Sequence, residues 1–260
     1  MHDEDGLLSF EQLGAIGSIR LTRPEKRNAI SDALVVRLKE CFDELPESVR
    51  VVVISGDGEH FCAGLDLSSL RERNAAEAMR HSMSWHDAFN AIQFGRVPVI
   101  AALHGAVIGG GLELACAAHI RIAEPGAFYA LPEGQHGIFV GGGGSVRIPR
   151  IIGVARMTDM MLAGRVFGAD EGQQIGLSNY LVEEAKSLDK AMEIAARVAK
   201  NASMTNFAVM HALPRIATQP MAEGLMMESM IAAIASSSKD AQERMQAFLD
   251  KRASKVIRPT

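Results

Sequence analysis

Over about the first 190 residues, stretches with a two-residue apolar period alternate with stretches in which apolar side chains recur every three or four positions. Ala15-Ile16-Gly17-Ser18-Ile19-Arg20-Leu21 alternates as a half-buried strand does, and Thr22-Arg23-Pro24-Glu25 interrupts it. Ser31-Asp32 is an N-cap pair for a helix that carries Leu34, Val35, Leu38, Phe42 and Leu45 on one stripe before Pro46. Val51 to Ile54 is wholly apolar, which predicts a strand covered on both faces. A loop rich in Gly and Asp follows, from Ser55 to Asp66. Helical spacing returns from Ala75 to Phe94, with Met79, Met83, His86, Phe89 and Ile92 in step.

Val97 to Leu103 reads as a buried strand and His104-Gly105 as a turn, after which Gly109-Gly110-Gly111 opens a helix over Leu112 to Ala118. His119 to Ala123 and Ala127 to Ala130 are further short strands. Helices are then expected at Ala155 to Leu162, Ala169 to Gln174, Leu188 to Asn201, Asn206 to Ala217, Glu223 to Ser236 and Asp240 to Ala253. Strand and helix in alternation argue for an α/β fold with mainly parallel strands. The helical tail carries apolar stripes too sparse for a core of its own, so it is expected to pack on the core or on another subunit.

The composition narrows the function. Lys plus Arg number 27 against 31 Asp plus Glu, a net charge of −4, which argues against a nucleic-acid binder relying on phosphate neutralisation. Cys41, Cys62 and Cys116 are scattered, with neither a disulfide framework nor a metal spacing. Met1 to Asp5 is acidic, without the apolar or Arg-rich patterns of targeting segments, and the apolar run Val97 to Cys116 is broken by His104, glycines and Glu113. A cytoplasmic protein with no membrane or nucleic-acid partner is expected, and no metal.

Three segments hold residues that plain folding does not need. Phe61-Cys62-Ala63-Gly64-Leu65-Asp66-Leu67 is either an ordinary turn or a bend that presents backbone N–H groups. Gly109-Gly110-Gly111 places unpaired N–H groups at the positive end of a helix, and Glu113 in its apolar first turn is either a capping residue or a buried functional acid. Leu131-Pro132-Glu133 precedes a second glycine run, Gly141 to Gly144. Alone, Glu133 is a loop residue; with Glu113 it could form a pair of carboxylates flanking one reacting site, as proton transfer to and from carbon requires. Dinucleotide-binding and phosphate-loop spacings are absent.

Taken together, these segments resemble the crotonase (enoyl-CoA hydratase/isomerase) superfamily. Leu21 to Ala29 is similar to its N-terminal signature and Phe61 to Leu67 to its A-G-x-D loop. Gly109 to Ala115 is similar to its G-G-G-x-E-L-A helix and Leu131-Pro132-Glu133 to its P-E strand end. Arg147 to Gly153 resembles a later helix, and Phe248 to Arg252 the C-terminal F-x-x-K-R segment. The resemblance implies an α/β, crotonase-like spiral of ββα turns over residues 1–195 that holds an acyl-CoA site. It implies a helical oligomerisation region over 196–260, giving a homotrimer or a homohexamer of paired trimers. It also implies an oxyanion hole from the Leu65 and Gly110 amides and catalytic Glu113 and Glu133, twenty residues apart. Gly141 would position the second glutamate and the water.

By the same resemblance, coenzyme A would run along Arg23, Arg27 and the loop Ala63, Leu65, Asp66, Leu67 and Ser68, with Gly110 at the thioester and Lys251 near the phosphates. Trp85, His86, Phe89, Phe139 and Val140 would line the acyl pocket. Coenzyme A is then part of the substrate, and no separate cofactor is expected. The activity implied is hydration of a 2-enoyl-CoA. The rivals are an enoyl-CoA isomerase or another acyl-CoA enolate reaction, and a non-catalytic acyl-CoA-binding subunit.

Overall fold

The computed structural model describes residues 6–69 and 71–250, and the chain separates into two compact units, 1–199 and 200–260. The first unit opens with an antiparallel hairpin, β1 (Leu8–Leu13) and β2 (Ile16–Leu21). The helix α1 (Asp32–Asp43) follows, its first turn capped by the Ser31 hydroxyl, which accepts from the Leu34 amide. The strand β3 (Val51–Gly56) lies parallel to β2 and to β4 (Val99–Leu103). Between them runs α2 (Ala75–Gln93), which starts in a complete capping box of Asn74 and Glu77.

The unbroken apolar runs of β3 and β4 have a direct cause. Val52, Ile54, Val99, Ala101 and Leu103 enter the main core, while Val51, Val53, Ile100 and Ala102 enter a second one. That second core is closed by Ala191, Ile194 and Ala195 of α7 (Ser187–Val198). A strand buried on both faces leaves no position for a polar residue.

The remaining strands complete two sheets. With β6 (Ile120–Ala123) and β9 (Tyr180–Leu181), the first sheet has the order β1-β2-β3-β4-β6-β9, parallel after the hairpin. The smaller sheet has the order β5-β7-β8, from Ala106–Ile108, Phe128–Ala130 and Phe167–Gly168. Three more strand–helix connections place α3 (Gly110–Ala117), α4 (Gly144–Ile152), α5 (Val154–Ala163) and α6 (Ala169–Gln174) around it. The arrangement is α/β and crotonase-like.

Several elements differ from the sequence expectation. β1, β5, β8 and β9 were not anticipated; each is two or three residues long or, in β1, an edge strand whose second half is exposed. α3 begins two residues early, so Gly110 and Gly111 belong to the helix and Gly109 caps it.

In the second unit the single helix expected over 206–217 is interrupted. Ser203–Phe207 (α8) passes through a π turn, Ala208–Ala212, into Leu213–Ile216 (α9). Pro214 lacks an amide hydrogen, so a regular α ladder could not pass through it. Two longer helices follow, α10 (Met221–Ser237) and α11 (Lys239–Leu249). Met221, Leu225, Met226, Met230 and Ile234 of α10 are exposed. No helix among the described residues is long and apolar enough to cross a membrane.

Candidate active site

The site is built where the two sheets are stitched together. The Cys62 amide donates to Ala106 O (3.0 Å) and the Ile108 amide to Cys62 O (3.1 Å), so the loop after β3 runs beside β5. On its other side the Ile30 amide donates to Gly64 O (2.7 Å) and the Asp66 amide to Ile30 O (2.9 Å). This ladder alternates, so the intervening Leu65 amide is directed away from it. Gly109 then ends β5 and caps α3, leaving the Gly110 amide as the first N–H of the helix. The two amides belong to neighbouring segments: a Cβ on Gly64 would stand 3.4 Å from the Gly110 nitrogen. Among the described residues neither amide is hydrogen-bonded to the chain. The approach needs a glycine in the helix, because a Cβ on Gly111 would meet Cys62 O at 2.3 Å.

A cavity of about 280 Å³ lies against this crossing, lined by Leu65 and Gly110 together with Glu113 and Glu133. Both glutamates are buried, at 3% and 6% exposure. Glu113 Oε1 accepts from the Gly142 amide (2.8 Å) and from the Gly144 amide (2.7 Å). Burial pushes its carboxyl up to about 7; the Gly144 and Gly142 amides and Arg147 oppose that rise, and the charge of Glu133 adds to it. Glu133 sits at the start of the 3₁₀ turn Pro132–His136, close to Gly109, and its Oε2 is buried without a hydrogen-bond partner among the described residues. Burial also raises its carboxyl, against the pull of its own backbone amide and of His136. Protonation of Glu133 would turn that oxygen into a donor, and the cavity thus holds two carboxyls whose burial favours their neutral forms.

The glycine loop is held from below by one buried cation. Arg147 of α4 donates to Gly142 O (2.9 Å), to Gln93 Oε1 (2.7 Å) and to Asn90 Oδ1 (2.7 Å). It thus ties the C-terminal end of α2 to the loop that grips Glu113. The Ser82 hydroxyl holds the loop from α2 at a second point, donating to Gly141 O (2.6 Å). The amides placed on a glutamate are therefore those of Gly142 and Gly144, on Glu113, while Gly141 is engaged through its carbonyl.

The other expected positions divide. Trp85, Phe139 and Val140 line the cavity; Phe89 lies beneath the loop, edge-on to Trp85, and His86 reaches Ser82. Neither Phe89 nor His86 is on the lining: Phe89 packs under Gly142, and His86 lies beside Ser82 one turn away on α2. Asp66 is buried, with Arg23 donating to Oδ2 (2.9 Å) and the Ser68 hydroxyl and amide donating to Oδ1 (2.6 and 3.0 Å). Those bonds, the Ser68 hydroxyl foremost, hold its carboxyl below the usual range, so Asp66 shapes the loop rather than offering a free charge. Arg27, Leu67 and Ser68 are exposed, Ala63 is half-buried, and Lys251 lies outside the described residues. Sequence reasoning missed Arg73, His81, Ser82 and Ile138 on the lining, and Arg147 beneath it. Only Arg147 carried a local signal, as a cation three positions after a glycine run and next to apolar Ile148.

Known proteins share the family and the fold. Residues 11–256 match the family described as enoyl-CoA hydratase/isomerase. The chain belongs to that family. Its place is in the enoyl-CoA hydratase branch of the crotonase superfamily, whose members act on acyl-CoA thioesters. The chain is 30% identical over 246 residues to the short-chain-enoyl-CoA hydratase of Clostridium acetobutylicum, with 94% of each chain covered. It is 31% identical over 255 residues to the enoyl-CoA isomerase/hydratase fer4 of Mycosarcoma maydis, covering 94% of this chain and 93% of that one. A solved chain from Rhodopseudomonas palustris CGA009 is 58% identical and superposes with a TM-score of 0.93 over 95% of each. The solved enoyl-CoA hydratase of Bacillus anthracis is 31% identical, with a TM-score of 0.88 over 95% of this chain and 97% of its own. An enzyme of the crotonase superfamily follows.

Proposed function

We propose that the chain is a hydro-lyase that adds water across the 2,3 double bond of a 2-enoyl-CoA thioester. Ionised Glu113 takes a proton from water as its oxygen attacks C3. The electron pair moves through C2 onto the thioester oxygen, where the Leu65 and Gly110 amides receive the enolate charge. One such donor is worth about 3–4 kcal/mol of barrier in other enzymes. Protonated Glu133 then delivers its proton to C2, and transfer from Glu113 back to Glu133 restores the starting state. Coenzyme A enters as part of the substrate, and every step uses groups of the chain alone.

The observation that carries this reading is the pair of buried, up-shifted glutamates lining one cavity beside two unpaired main-chain amides. Isomerisation needs only one carboxylate to shuttle a proton, so two acids favour hydration, although a relative's name joins both activities. Incubation with crotonyl-CoA decides between them. Loss of the conjugated-thioester absorbance with a mass gain of one water supports hydration; a displaced double bond without added oxygen in a longer enoyl-CoA supports isomerisation; binding without turnover supports a non-catalytic subunit. The same reading extends to a cytoplasmic homotrimer or hexamer assembled through the exposed apolar residues of α10.

A further inference from the structure

The reacting cavity has a neighbour. A second cavity of about 540 Å³ lies on the other side of Arg73 and His81, the two residues that line both spaces. What separates them is a small ionic cluster. Asp32, at the first position of α1, accepts from Arg73 (Nη2 to Oδ2, 2.9 Å) and from the Nε2 of His81 (to Oδ1, 2.6 Å). Arg73 immediately precedes the cap of α2 and His81 lies two turns into it, so one carboxylate locks two points of α2 to the start of α1. Arg73 and His81 are the more enclosed members, with side chains 12% and 24% exposed, whereas Asp32, at 42%, opens only to the outer space. The wall is charged, and within it Asp32 is paired with Arg73. It offers an apolar chain nothing to bury against and an anionic chain no spare cation.

The inner cavity, of about 280 Å³, is small enough that a thioester group, the attacking water and a short acyl chain occupy it. Opening the wall would enlarge the space about threefold. We propose that Asp32, Arg73 and His81 form a partition that ends the acyl cavity and limits the enzyme to short acyl chains. The inference rests on the acyl-thioester reading of the cavity but not on hydration.

The test measures binding rather than turnover. Affinities of saturated butanoyl-, hexanoyl-, decanoyl- and dodecanoyl-CoA, which cannot react, are determined by calorimetry for the full-length protein and for Asp32→Ala, Asp32→Asn and His81→Ala. Each buried methylene is worth about fourfold in affinity. The native protein should therefore gain from butanoyl- to hexanoyl-CoA and gain nothing further. In Asp32→Ala the ratio of decanoyl to butanoyl affinity should rise by about fourfold for each methylene that the widened wall can cover, Val36 being the apolar residue beyond it, and Asp32→Asn, which keeps an acceptor for Arg73 or His81, should move it less. A native protein that keeps gaining up to dodecanoyl-CoA, or variants that lose affinity equally at all lengths, would overturn the partition. Crotonyl-CoA turnover, measured in parallel, reports on hydration separately: a chain-length cut-off without turnover keeps the partition and removes the hydratase reading.

Discussion

Replacing Glu113 by Gln separates the cost of burying this acid from its use. The carboxyl rests at about 7 in the folded chain against an ordinary 4.5. Because the folded value is the higher one, the folded state binds the proton more tightly, and stability is lost as pH rises from about 4.5 to about 7. The gap, at about 1.4 kcal/mol per pH unit, amounts to about 3 kcal/mol at pH 8. Gln keeps an amide oxygen for the Gly142 and Gly144 amides and carries no charge. Chemical unfolding of Glu113→Gln should thus match the native protein near pH 4.5 and show a gain of about 3 kcal/mol at pH 8. Turnover of crotonyl-CoA should fall by about 10²–10⁴, the range for loss of a general base, with acyl-CoA affinity nearly kept. A stability difference that stays flat between pH 4.5 and 8 would refute the desolvation argument. Near-native turnover would refute the assignment of Glu113 as base.

The other consequences concern the opposite acid and the loop. Glu133→Gln should lower kcat by at least about 10²-fold while a saturated acyl-CoA binds within a few-fold of normal, checked by steady-state kinetics and calorimetry; a change confined to KM would remove it as the proton donor. Gly144 has no left-handed backbone to protect, so the obstacle to Ala there is the carboxyl itself, with Oε1 only 2.7 Å from the new Cβ. Gly144→Ala should move Glu113 off its two amides and cut kcat about 10²-fold, whereas circular dichroism should show an intact fold. Arg147→Met should destabilise by about 1–3 kcal/mol by leaving the buried Gly142 carbonyl unpaired and by releasing half-buried Gln93 and exposed Asn90 from the loop. It should also reduce kcat more than KM, because the loop holding Glu113 loosens.

Much of this was legible in the chain because it is written in local pattern. The apolar runs at Val51 and Val99, the Ser31 cap and the glycines before Glu113 each imply their element through neighbours a few residues away. What escaped depends on distance in sequence. Arg147 acquires its role from Asn90 and Gln93, more than fifty residues upstream, and Asp32 meets Arg73 and His81 across forty or more. Gly141 to Gly144 are four identical residues, so composition could not say which amides face a glutamate. The start of α4 at Gly144 turns two of them onto Glu113. His86 and Phe89 fit the helical stripe of α2, but the stripe faces several neighbours, and periodicity alone cannot separate cavity from core.

The glycine run and the buried acid explain one another. A carboxylate enclosed among Phe89, Val140 and the start of α4 would stay protonated without donors near it, and side-chain donors would occupy the space a substrate needs. Main-chain amides supply the hydrogen bonds at no cost in volume, provided the backbone comes close, and a Cβ on Gly142 would meet Phe89 at 2.8 Å while one on Gly144 would meet Glu113. Two amides and a nearby guanidinium bring the carboxyl back only to about 7. More donors would leave a weaker base, and fewer would leave an acid that never ionises at neutral pH. The number of amides aimed at Glu113 is therefore a chemical setting, and a third donor engineered onto Oε2 should shift the rise in kcat with pH to lower pH while lowering its plateau.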